Sequence, residues 1–321
     1  MGNTFYFDWE VRLEEWLQGI LGSAGGNILG FFTLFGESVF IVAILGFMYW
    51  CYDKNMAKRM ALAIAIAVVW NPIVKNIFVR RRPYMDNPGI KCLKPVEAGY
   101  DIYDISAQGF SFPSGHSTNS LLVFGSLANL FRKRVFFITA AVLTFLVGLS
   151  RVVLGVHYPT DVLVGWAMGA GFIFLSEFML SKVDKKILYP IVFAVSCVGI
   201  FFCRTDDYFT ALGLMGGIFV SVFFEEKYVN FDSTRSPLQC VIRMIGGGVS
   251  YYLISTALKL LFGLMTPDDA QAVSFFFRAL RYFIASFVVL GVYPMCFKYF
   301  DRIGGKKHTS EESDQKVSGK I

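Results

Sequence analysis

Runs of about 20 apolar residues recur along the whole length of this 321-residue chain. Wound as an α-helix, a run of about that length crosses the roughly 30 Å hydrocarbon core of a bilayer. Apolar residues make up 55% of the sequence and charged residues 17%. Buried helices of soluble proteins keep polar faces at helical period, whereas stretches such as 39–50 and 62–70 have none. We therefore expect an all-α fold, that of a polytopic helical membrane protein.

About nine stretches are candidate transmembrane helices. They cover residues 28–51, 58–79, 112–131, 135–155, 161–181, 187–203, 208–225, 241–264 and 275–298. Before them, residues 5–22 interleave charges with tryptophan, phenylalanine and leucine, which favours an N-terminal amphipathic helix lying in the membrane interface. We expect four parts: this interfacial helix (1–27), a core (28–181), additional transmembrane helices (182–300) and a disordered cytoplasmic tail (301–321).

Lysine and arginine cluster at alternate ends of the spans. The basic ends fall at residues 54–59, 132–134, 182–186, 227–243 and 298–307, and the opposite ends carry Asp206, Asp207, Asp268 and Asp269. By the positive-inside rule the basic ends are cytoplasmic, which puts the N-terminus outside and the C-terminus inside. The loop that begins at Pro83 lies on the outer side, and its basic residues break the trend. An anionic substrate would explain this exception.

Three short patterns combine cations, histidines and a carboxylate. They are Lys75-x6-Arg82-Pro83, Pro113-Ser114-Gly115-His116 and Arg151-x5-His157-x3-Asp161. Because antiparallel spans alternate in direction, the helix ends and starts that carry these patterns meet at one face of the predicted topology. Two imidazoles, a carboxylate and three long cations are the groups that transfer of a phosphoryl unit without a metal requires. The patterns therefore predict one phosphate-handling site.

The first pattern supplies two cations. Lys75 and Arg82 are seven residues apart, close to two helical turns, so we expect them to project from one face of a helix. Cations near a membrane boundary are costly unless they are paired, and an arginine fork can hold two phosphate oxygens. Snorkelling to the lipid headgroups explains either residue equally well when it is taken alone.

The second pattern precedes an apolar run and so marks the start of a helix. Gly115 allows close approach of a ligand to the backbone, and the N–H groups of a helix start form an anion site. Ser114 adds a hydroxyl donor, and His116 adds a group that titrates near neutral pH. An ordinary helix cap whose histidine faces the headgroups is the alternative.

The third pattern places His157 just before a helix that Pro159 starts. Asp161 then lies in the first turn, where it can accept a hydrogen bond from one ring nitrogen of His157 and leave the other as a nucleophile or base. A carboxylate is also favoured at a helix N-terminus by the helix dipole. Both explanations of Asp161 can hold together.

In this order, the three patterns resemble the signature of the phosphatidic acid phosphatase type 2 superfamily. That superfamily includes bacterial lipid phosphatases, glucose-6-phosphatase and vanadium haloperoxidases. The resemblance covers residues 28–181 with every signature position matched, which would make that part a phosphatase core. It implies that Lys75, Arg82 and Arg151 bind the phosphoryl oxygens with help from Ser114 and the Gly115 N–H. It also implies that His157 attacks phosphorus, Asp161 orients His157, and His116 protonates the leaving oxygen.

We accordingly expect an integral membrane phosphatase that hydrolyses a lipid phosphate or diphosphate through a phosphohistidine. Candidate substrates are isoprenyl diphosphate, phosphatidic acid and phosphatidylglycerol phosphate, met at the extracytoplasmic face of a bacterial plasma membrane. The alternatives are a phosphotransferase with a lipid acceptor, a sugar-phosphate phosphatase, a vanadate-dependent oxidase, and a non-catalytic lipid-binding or transport protein. Membrane lipids are the expected partners, and nucleic acid is not.

Two further expectations concern groups beside the patterns. Glu37 is a carboxylate at membrane depth, which makes it a possible accessory residue that pairs with a cation of the site or lines the substrate cleft; a packed salt bridge is the alternative. No carboxylate cluster suited to a metal accompanies the patterns, and the six cysteines show no metal-binding spacing. The sequence therefore predicts a reaction without a metal or other cofactor.

Overall fold

A computed structural model describes residues 2–267 and 270–303 of the chain, with the side chains of 301–303 left aside. The α-helices are α1 (Asp8–Phe32), α2 (Ser38–Phe47), α3 (Lys54–Phe78), α4 (Pro83–Asp86), α5 (Ile105–Gln108), α6 (Gly115–Phe131), α7 (Arg134–Val153), α8 (Pro159–Lys182), α9 (Lys185–Ser196), α10 (Asp206–Phe224), α11 (Pro237–Met265), α12 (Gln271–Phe287) and α13 (Phe297–Ile303). Short 3-10 or π turns extend several of them. The predicted tail beyond residue 303, and the acidic pair Asp268 and Asp269, lie outside the described residues.

The predicted fold class, an all-α polytopic membrane protein, is confirmed. Within the described ranges, seven helical segments are long and apolar enough to cross a membrane: Asp8–Gly36, Lys54–Phe78, Arg134–Val153, Pro159–Lys182, Asp206–Val229, Pro237–Met265 and Gln271–Phe300. The predicted count of nine is not confirmed. Three of the predicted spans correspond to shorter helices: the predicted span 28–51 ends in the helical segment Ser38–Tyr52, α6 has 17 residues, several with hydroxyl or amide side chains, and α9 has 12. Conversely, Asp8–Gly36, which includes the predicted interfacial helix, is long and apolar enough to be one of the seven.

The N-terminal part differs from the prediction in its boundaries. Helix α1 continues from Asp8 to Phe32, so the expected division at residue 27 falls within a helix; its one non-helical residue is Gly22 at φ 57°. The predicted span 28–51 is instead divided at Glu37, whose backbone is extended between a 3-10 turn and α2. Two of the charges that were expected at the membrane interface instead lie inside the protein, because Glu10 and Glu14 of α1 are fully buried.

Helix α3 occupies the centre of the bundle. Its small residues, such as Ala63 and Ala67, pack into a cluster with residues of α2 and α6. Its larger residues, such as Leu62 and Ile73, pack into a second cluster with α10. Because α3 contacts both clusters, it joins the core of the chain to the later helices and fixes the position of its own C-terminal end.

A buried ion-pair network joins α3 to α10 at the opposite end of α3. The carboxylate of Glu225, which is fully buried, lies 2.9 Å from Lys54 Nζ and 2.6 Å from Lys58 Nζ. Lys58 and Lys185 also contact Glu226, at 3.0 and 2.5 Å. A buried charge of this kind is stable only with close partners, so the network fixes how the later helices sit against the core.

Glycines on α8 allow it to lie close to α6. A Cβ atom added at Gly165 would lie 2.7 Å from the carbonyl oxygen of Ser114, and one at Gly169 would lie 3.0 Å from that of Thr118. Small residues at helix–helix contacts allow such close approach in membrane proteins. The start of α6 is thereby held against the first turns of α8.

Gly165→Ala should destabilise the protein by roughly 1–3 kcal/mol, because the added methyl group forces α6 and α8 apart. Unfolding of the purified protein in detergent measures this. Gly171→Ala is the matched control, since a Cβ at Gly171 of the same helix meets nothing within 4 Å. Equal stability of the two variants would contradict the packing role of Gly165.

Candidate active site

One backbone hydrogen bond joins the starts of α6 and α8. The N–H of Ser114 donates to the carbonyl oxygen of Asp161 at 3.0 Å. Ser114 also caps α6, since its Oγ accepts from the hydroxyl of Ser117 at 2.9 Å and from its N–H at 3.4 Å. The second and third sequence patterns therefore lie at the same end of the bundle.

His157 and Asp161 form a buried pair. Nδ1 of His157 lies 3.4 Å from Oδ2 of Asp161, close but not aligned as a hydrogen bond, and both side chains are almost completely buried. Oδ2 also accepts from the N–H of Tyr158 at 2.9 Å. With Nδ1 facing the carboxylate, Nε2 is the ring nitrogen left to meet a ligand.

The surroundings of His157 disfavour its protonation. Burial lowers the pKa of His157 well below its ordinary value, and the positive charges of Arg82, Arg151 and Lys75 lower it further. The imidazole is therefore neutral at neutral pH, with a lone pair available for attack.

His116 lies at the more open edge of the site. Its Nε2 is 3.3 Å from Oε1 of Glu37, and the two side chains are 22% and 44% exposed, against 3% and 0% for His157 and Asp161. Gly36 makes this approach possible, because a Cβ there would lie 2.9 Å from both the Cβ and the carbonyl oxygen of His116. The structure places Glu37 beside this histidine, and the accessory role of Glu37 stays a prediction.

Gly115 and Asn71 lie together beside His116. Gly115 is the first residue of α6, so its N–H points out of the helix end, as an anion site requires. The Oδ1 atom of Asn71 lies 3.6 Å from where a Cβ of Gly115 would be, and its Nδ2 is buried without a partner. Asn71 was not predicted as a site residue; it lies one helical turn before Lys75 on α3, and that spacing could have indicated it.

The prediction that Lys75 and Arg82 project from one face of a helix is wrong. Lys75 lies partly buried in the last turn of α3, but the helix ends at Phe78 with Val79 in the left-handed conformation, φ 45°. Residues 80–82 follow in an extended segment, where alternate side chains share a face. Arg80 and Arg82 accordingly point inward, and Arg81 pairs with Asp86 near the surface, at 3.1 Å.

Arg82 and Arg151 differ in what they contact. The guanidinium of Arg82 donates to the carbonyl oxygens of Gln108, Gly109, Phe110 and Val156 at 2.6–3.4 Å, so that its Nε, its Nη2 and one side of Nη1 are engaged. Arg151 is also buried, and its Nη1 donates to Oγ1 of Thr33 at 3.2 Å while its Nε is without a partner. The guanidinium of Arg151 therefore makes fewer hydrogen bonds within the protein than that of Arg82 and has more donors left for a ligand. Arg82 also holds the loop at residues 108–110 in place.

Arg80 is the main residue that the sequence analysis missed. Its Nη1 donates to Oδ1 of Asp161 at 2.6 Å and its Nη2 to Oε2 of Glu10 at 2.9 Å. In the sequence, Arg80 is only the first of three consecutive arginines before Pro83. The alternation of an extended segment is the signal that assigns Arg80 to the same inner face as Arg82.

The charges at this end of the bundle suit a polyanion. Three cations predicted from the sequence, Lys75, Arg82 and Arg151, act on the neutral imidazole of His157, and the helix start at Gly115 adds N–H donors. Among residues 2–267 and 270–303, no group of three histidine, cysteine, aspartate or glutamate side chains is arranged to hold a metal ion. The cations and the N–H donors have the charge and the hydrogen-bonding groups that an anionic ligand requires.

Two family models match the chain. Residues 56–183 match the PAP2 superfamily, and residues 209–305 match the transmembrane extension of PAP2 superfamily phosphatases. The first region contains all three sequence patterns, and the second contains α10 to α12. No solved structure shows a significant match to the chain.

Curated relatives match parts of the chain. Phosphatidylglycerophosphatase B of Bacillus subtilis is 39% identical over 92 residues, which are 26% of this chain and 43% of that protein. A lipid A 1-phosphatase of Rhizobium johnstonii is 45% identical over 170 residues, 47% of this chain and 66% of that protein. A lipid A 4'-phosphatase of Bacteroides thetaiotaomicron is 28% identical over 194 residues, 57% and 82% of the two chains. The chain thus spans less than two thirds of the length of the first two relatives.

Arg82→Lys should cost roughly 1–3 kcal/mol of stability, because one ammonium group cannot reach all four carbonyl groups and buried acceptors lose their donors. Denaturation of the purified variant in detergent measures the loss. Arg81→Lys, one position earlier and about one-third exposed, should change stability by less than about 0.5 kcal/mol. If Arg82→Lys were as stable as Arg81→Lys, the structural role of Arg82 would be refuted.

Proposed function

Since this chain belongs to the PAP2 superfamily, we propose that it is an integral membrane phosphatase that removes a phosphoryl group from a phosphorylated lipid. One observation carries the proposal: two histidines, each within 3.4 Å of its own carboxylate, lie at the helix starts that the Ser114–Asp161 hydrogen bond joins. Phosphoryl transfer needs a nucleophile, an acid and positive charge around one phosphorus atom. In the proposal the two histidines are the nucleophile and the acid, and Lys75, Arg82 and Arg151 supply the positive charge.

In the proposed reaction, Arg151, Lys75 and the open side of Arg82 bind the phosphoryl oxygens with Ser114 and the Gly115 N–H. Nε2 of His157 attacks phosphorus, and the new P–N bond forms as the bond from phosphorus to the lipid oxygen breaks. His116 donates a proton to that oxygen, which leaves as an alcohol or a lipid monophosphate. His116 then takes a proton from water, and the resulting hydroxide cleaves the phosphohistidine to release phosphate and free His157.

The two carboxylates have different tasks in this scheme. Asp161, facing Nδ1, stabilises the positive charge that the His157 ring acquires when Nε2 bonds to phosphorus. Burial and the charge of Arg151 lower the pKa of His116 to about 4, and Glu37 beside its Nε2 opposes that shift. An anionic phosphoryl group bound to Arg151 would offset the same positive charge, so that His116 can hold the proton that the acid step requires. Each histidine thus has its own carboxylate: Asp161 lies beside the proposed nucleophile His157, and Glu37 lies beside the proposed acid His116.

A lipid substrate is supported by the position of the open edge. The acid His116 lies there, so the leaving oxygen and the chain attached to it face the edge as well. Leu34 and Val39, on either side of Glu37, are exposed apolar residues that an acyl or isoprenyl chain can contact. Three of the relatives are named as phosphatases of phosphatidylglycerophosphate or lipid A, and the candidates for this chain are phosphatidic acid, phosphatidylglycerol phosphate and isoprenyl diphosphate.

We also propose that the site faces the extracytoplasmic side of the membrane. The support is the charge pattern of the sequence, in which basic clusters such as residues 132–134 and 182–186 fall at the ends of α6 and α8 away from the site. Such clusters favour the cytoplasmic side. A substrate could then enter laterally from the outer leaflet.

His157→Ala should abolish phosphate release by removing the nucleophile. The measurement is free phosphate from the three lipid candidates in detergent, with glucose 6-phosphate as a soluble comparison. His308→Ala, which changes the chain's third histidine far from the three patterns in sequence, serves as the control. Activity of His157→Ala within tenfold of the unaltered protein would refute the assignment of the nucleophile, and preference for glucose 6-phosphate would refute the lipid class.

Chelation by EDTA should leave phosphate release unchanged, because the three cations supply the charge stabilisation that many phosphoryl-transfer enzymes obtain from Mg²⁺. The assay compares treated and untreated protein on one lipid substrate, with and without added Mg²⁺. An inactive chelated protein whose activity Mg²⁺ restores would overturn the metal-free mechanism.

A further inference from the structure

The N-terminal segment, residues 2–37, contacts the candidate site although it lies outside both matched regions. Thr33 accepts from Arg151, and Glu37 lies beside His116. The third contact is indirect and more deeply buried: Glu10 of α1 reaches Asp161 through Arg80. A helix that served only as a membrane anchor would not need a buried ionic contact with the residue beside the nucleophile.

Arg80 is held in one orientation by contacts on every side. Its Nε donates to the carbonyl oxygen of Phe5 at 2.8 Å, and its Nη1 donates to Oγ1 of Thr160 at 2.8 Å as well as to Asp161. Its guanidinium carbon lies 4.0 Å from the ring centre of Tyr158 and 4.7 Å from that of Phe5. A guanidinium stacked between two rings and bonded along its edges has little freedom to turn.

Glu10 joins the start of α1 to the start of α8. Its Oε2 accepts from Arg80 and from the N–H of Phe7, both at 2.9 Å. Its Oε1 accepts from the N–H of Thr160 at 3.0 Å and from the Thr160 hydroxyl at 2.5 Å. The residue is fully buried, so its carboxylate is stabilised by Arg80, by the N–H of Phe7 and by the donors of Thr160 in the first turn of α8, and not by water.

These contacts divide the two oxygens of Asp161 between two tasks. Oδ1 is held by Arg80, and Oδ2 is left facing Tyr158 N–H and His157. Glu10 shares the charge of Arg80, so two carboxylates surround one guanidinium. Oδ2 of Asp161 is the part of this group that faces the histidine. If Glu10 were neutral, Arg80 would offset Asp161 alone, and Asp161 would stabilise a positive His157 ring less well.

We propose that Glu10 and Arg80 are positioning residues for the phosphoryl transfer, so that the N-terminal helix is a working part of the active site. This inference rests on the proposed function, since it assigns these residues a role in forming the phosphohistidine. They act through Asp161 and do not touch the substrate.

The test is Glu10→Gln, with Asp8→Asn as the matched control. Asp8 is exposed and lies two residues earlier on the same helix, so the control makes the same carboxylate-to-amide change away from the network. Both are assayed for kcat and KM on one phosphorylated lipid, with rates expressed per mole of folded, monodisperse protein. We expect kcat of Glu10→Gln to fall between about ten- and a hundredfold with KM within about twofold, and Asp8→Asn to match the unaltered protein.

A kcat of Glu10→Gln within twofold of the control, or a loss explained entirely by a smaller folded fraction, would overturn the proposal. A rise in KM alone would also overturn it, because positioning of the nucleophile acts on the transition state. If the unaltered protein released no phosphate from any phosphorylated lipid, the proposed function would fail and the inference with it. An active unaltered protein with an unaffected Glu10→Gln refutes the inference alone.

A second pair of variants serves if Glu10→Gln does not fold. Thr160→Val removes the hydroxyl that lies between Glu10 and Arg80 with little change in volume, and Thr160→Ser keeps it. The folded Thr160→Ser variant should have a kcat at least about fivefold above that of folded Thr160→Val. Equal kcat values for the two would count against the network as a positioning device.

Discussion

The burial of Asp161 is the constraint on which the rest of the site depends. A carboxylate removed from water is stable only if close hydrogen bonds and opposite charge replace its hydration. Asp161 obtains them from the N–H of Tyr158 and from Arg80, and Arg80 in turn requires Glu10. The helix that starts at Pro159, the segment after α3 and the first turn of α1 are therefore fixed relative to one another by one charge.

The same constraint explains how the site can keep a neutral nucleophile among cations. His157 is buried beside Asp161 and within the influence of Arg82 and Arg151, which disfavour a second positive charge. A phosphate bound beside Arg82 and Arg151 would offset their charge and would meet an unprotonated ring. The side chain of His116 is more exposed than that of His157, although its Nε2 is itself buried and faces Glu37 at 3.3 Å. The proposed nucleophile therefore lies at the more buried position and the proposed acid at the more exposed one.

Much of the architecture followed from the sequence, because long apolar runs leave few alternatives to membrane helices. The three patterns also met at one end of the bundle, as the alternation of helix directions requires. The contacts of α1 did not follow. Glu10 lies 70 residues from Arg80 in the chain, and a glutamate among tryptophans and leucines has the same pattern whether it faces headgroups or a buried arginine.

Two local features also could not be predicted from the sequence. Nothing in the apolar run of α3 marks its end at Phe78, since Val79 takes a left-handed conformation that usually favours glycine or asparagine. Arg82 therefore does not share a helical face with Lys75, although its spacing predicted it. The interruption at Glu37 lies within a continuous apolar stretch, and it arises where Gly36 packs directly on His116. In both places tertiary contacts override the local preference.

The most direct test of the account is an experimental structure of the protein with orthovanadate, which mimics phosphorus during transfer. The account predicts vanadium bonded to Nε2 of His157, with His116 beside the oxygen on the opposite side and Arg151 and Lys75 contacting the equatorial oxygens. Vanadate bound through His116, or bound with His157 turned away from it, would contradict the account.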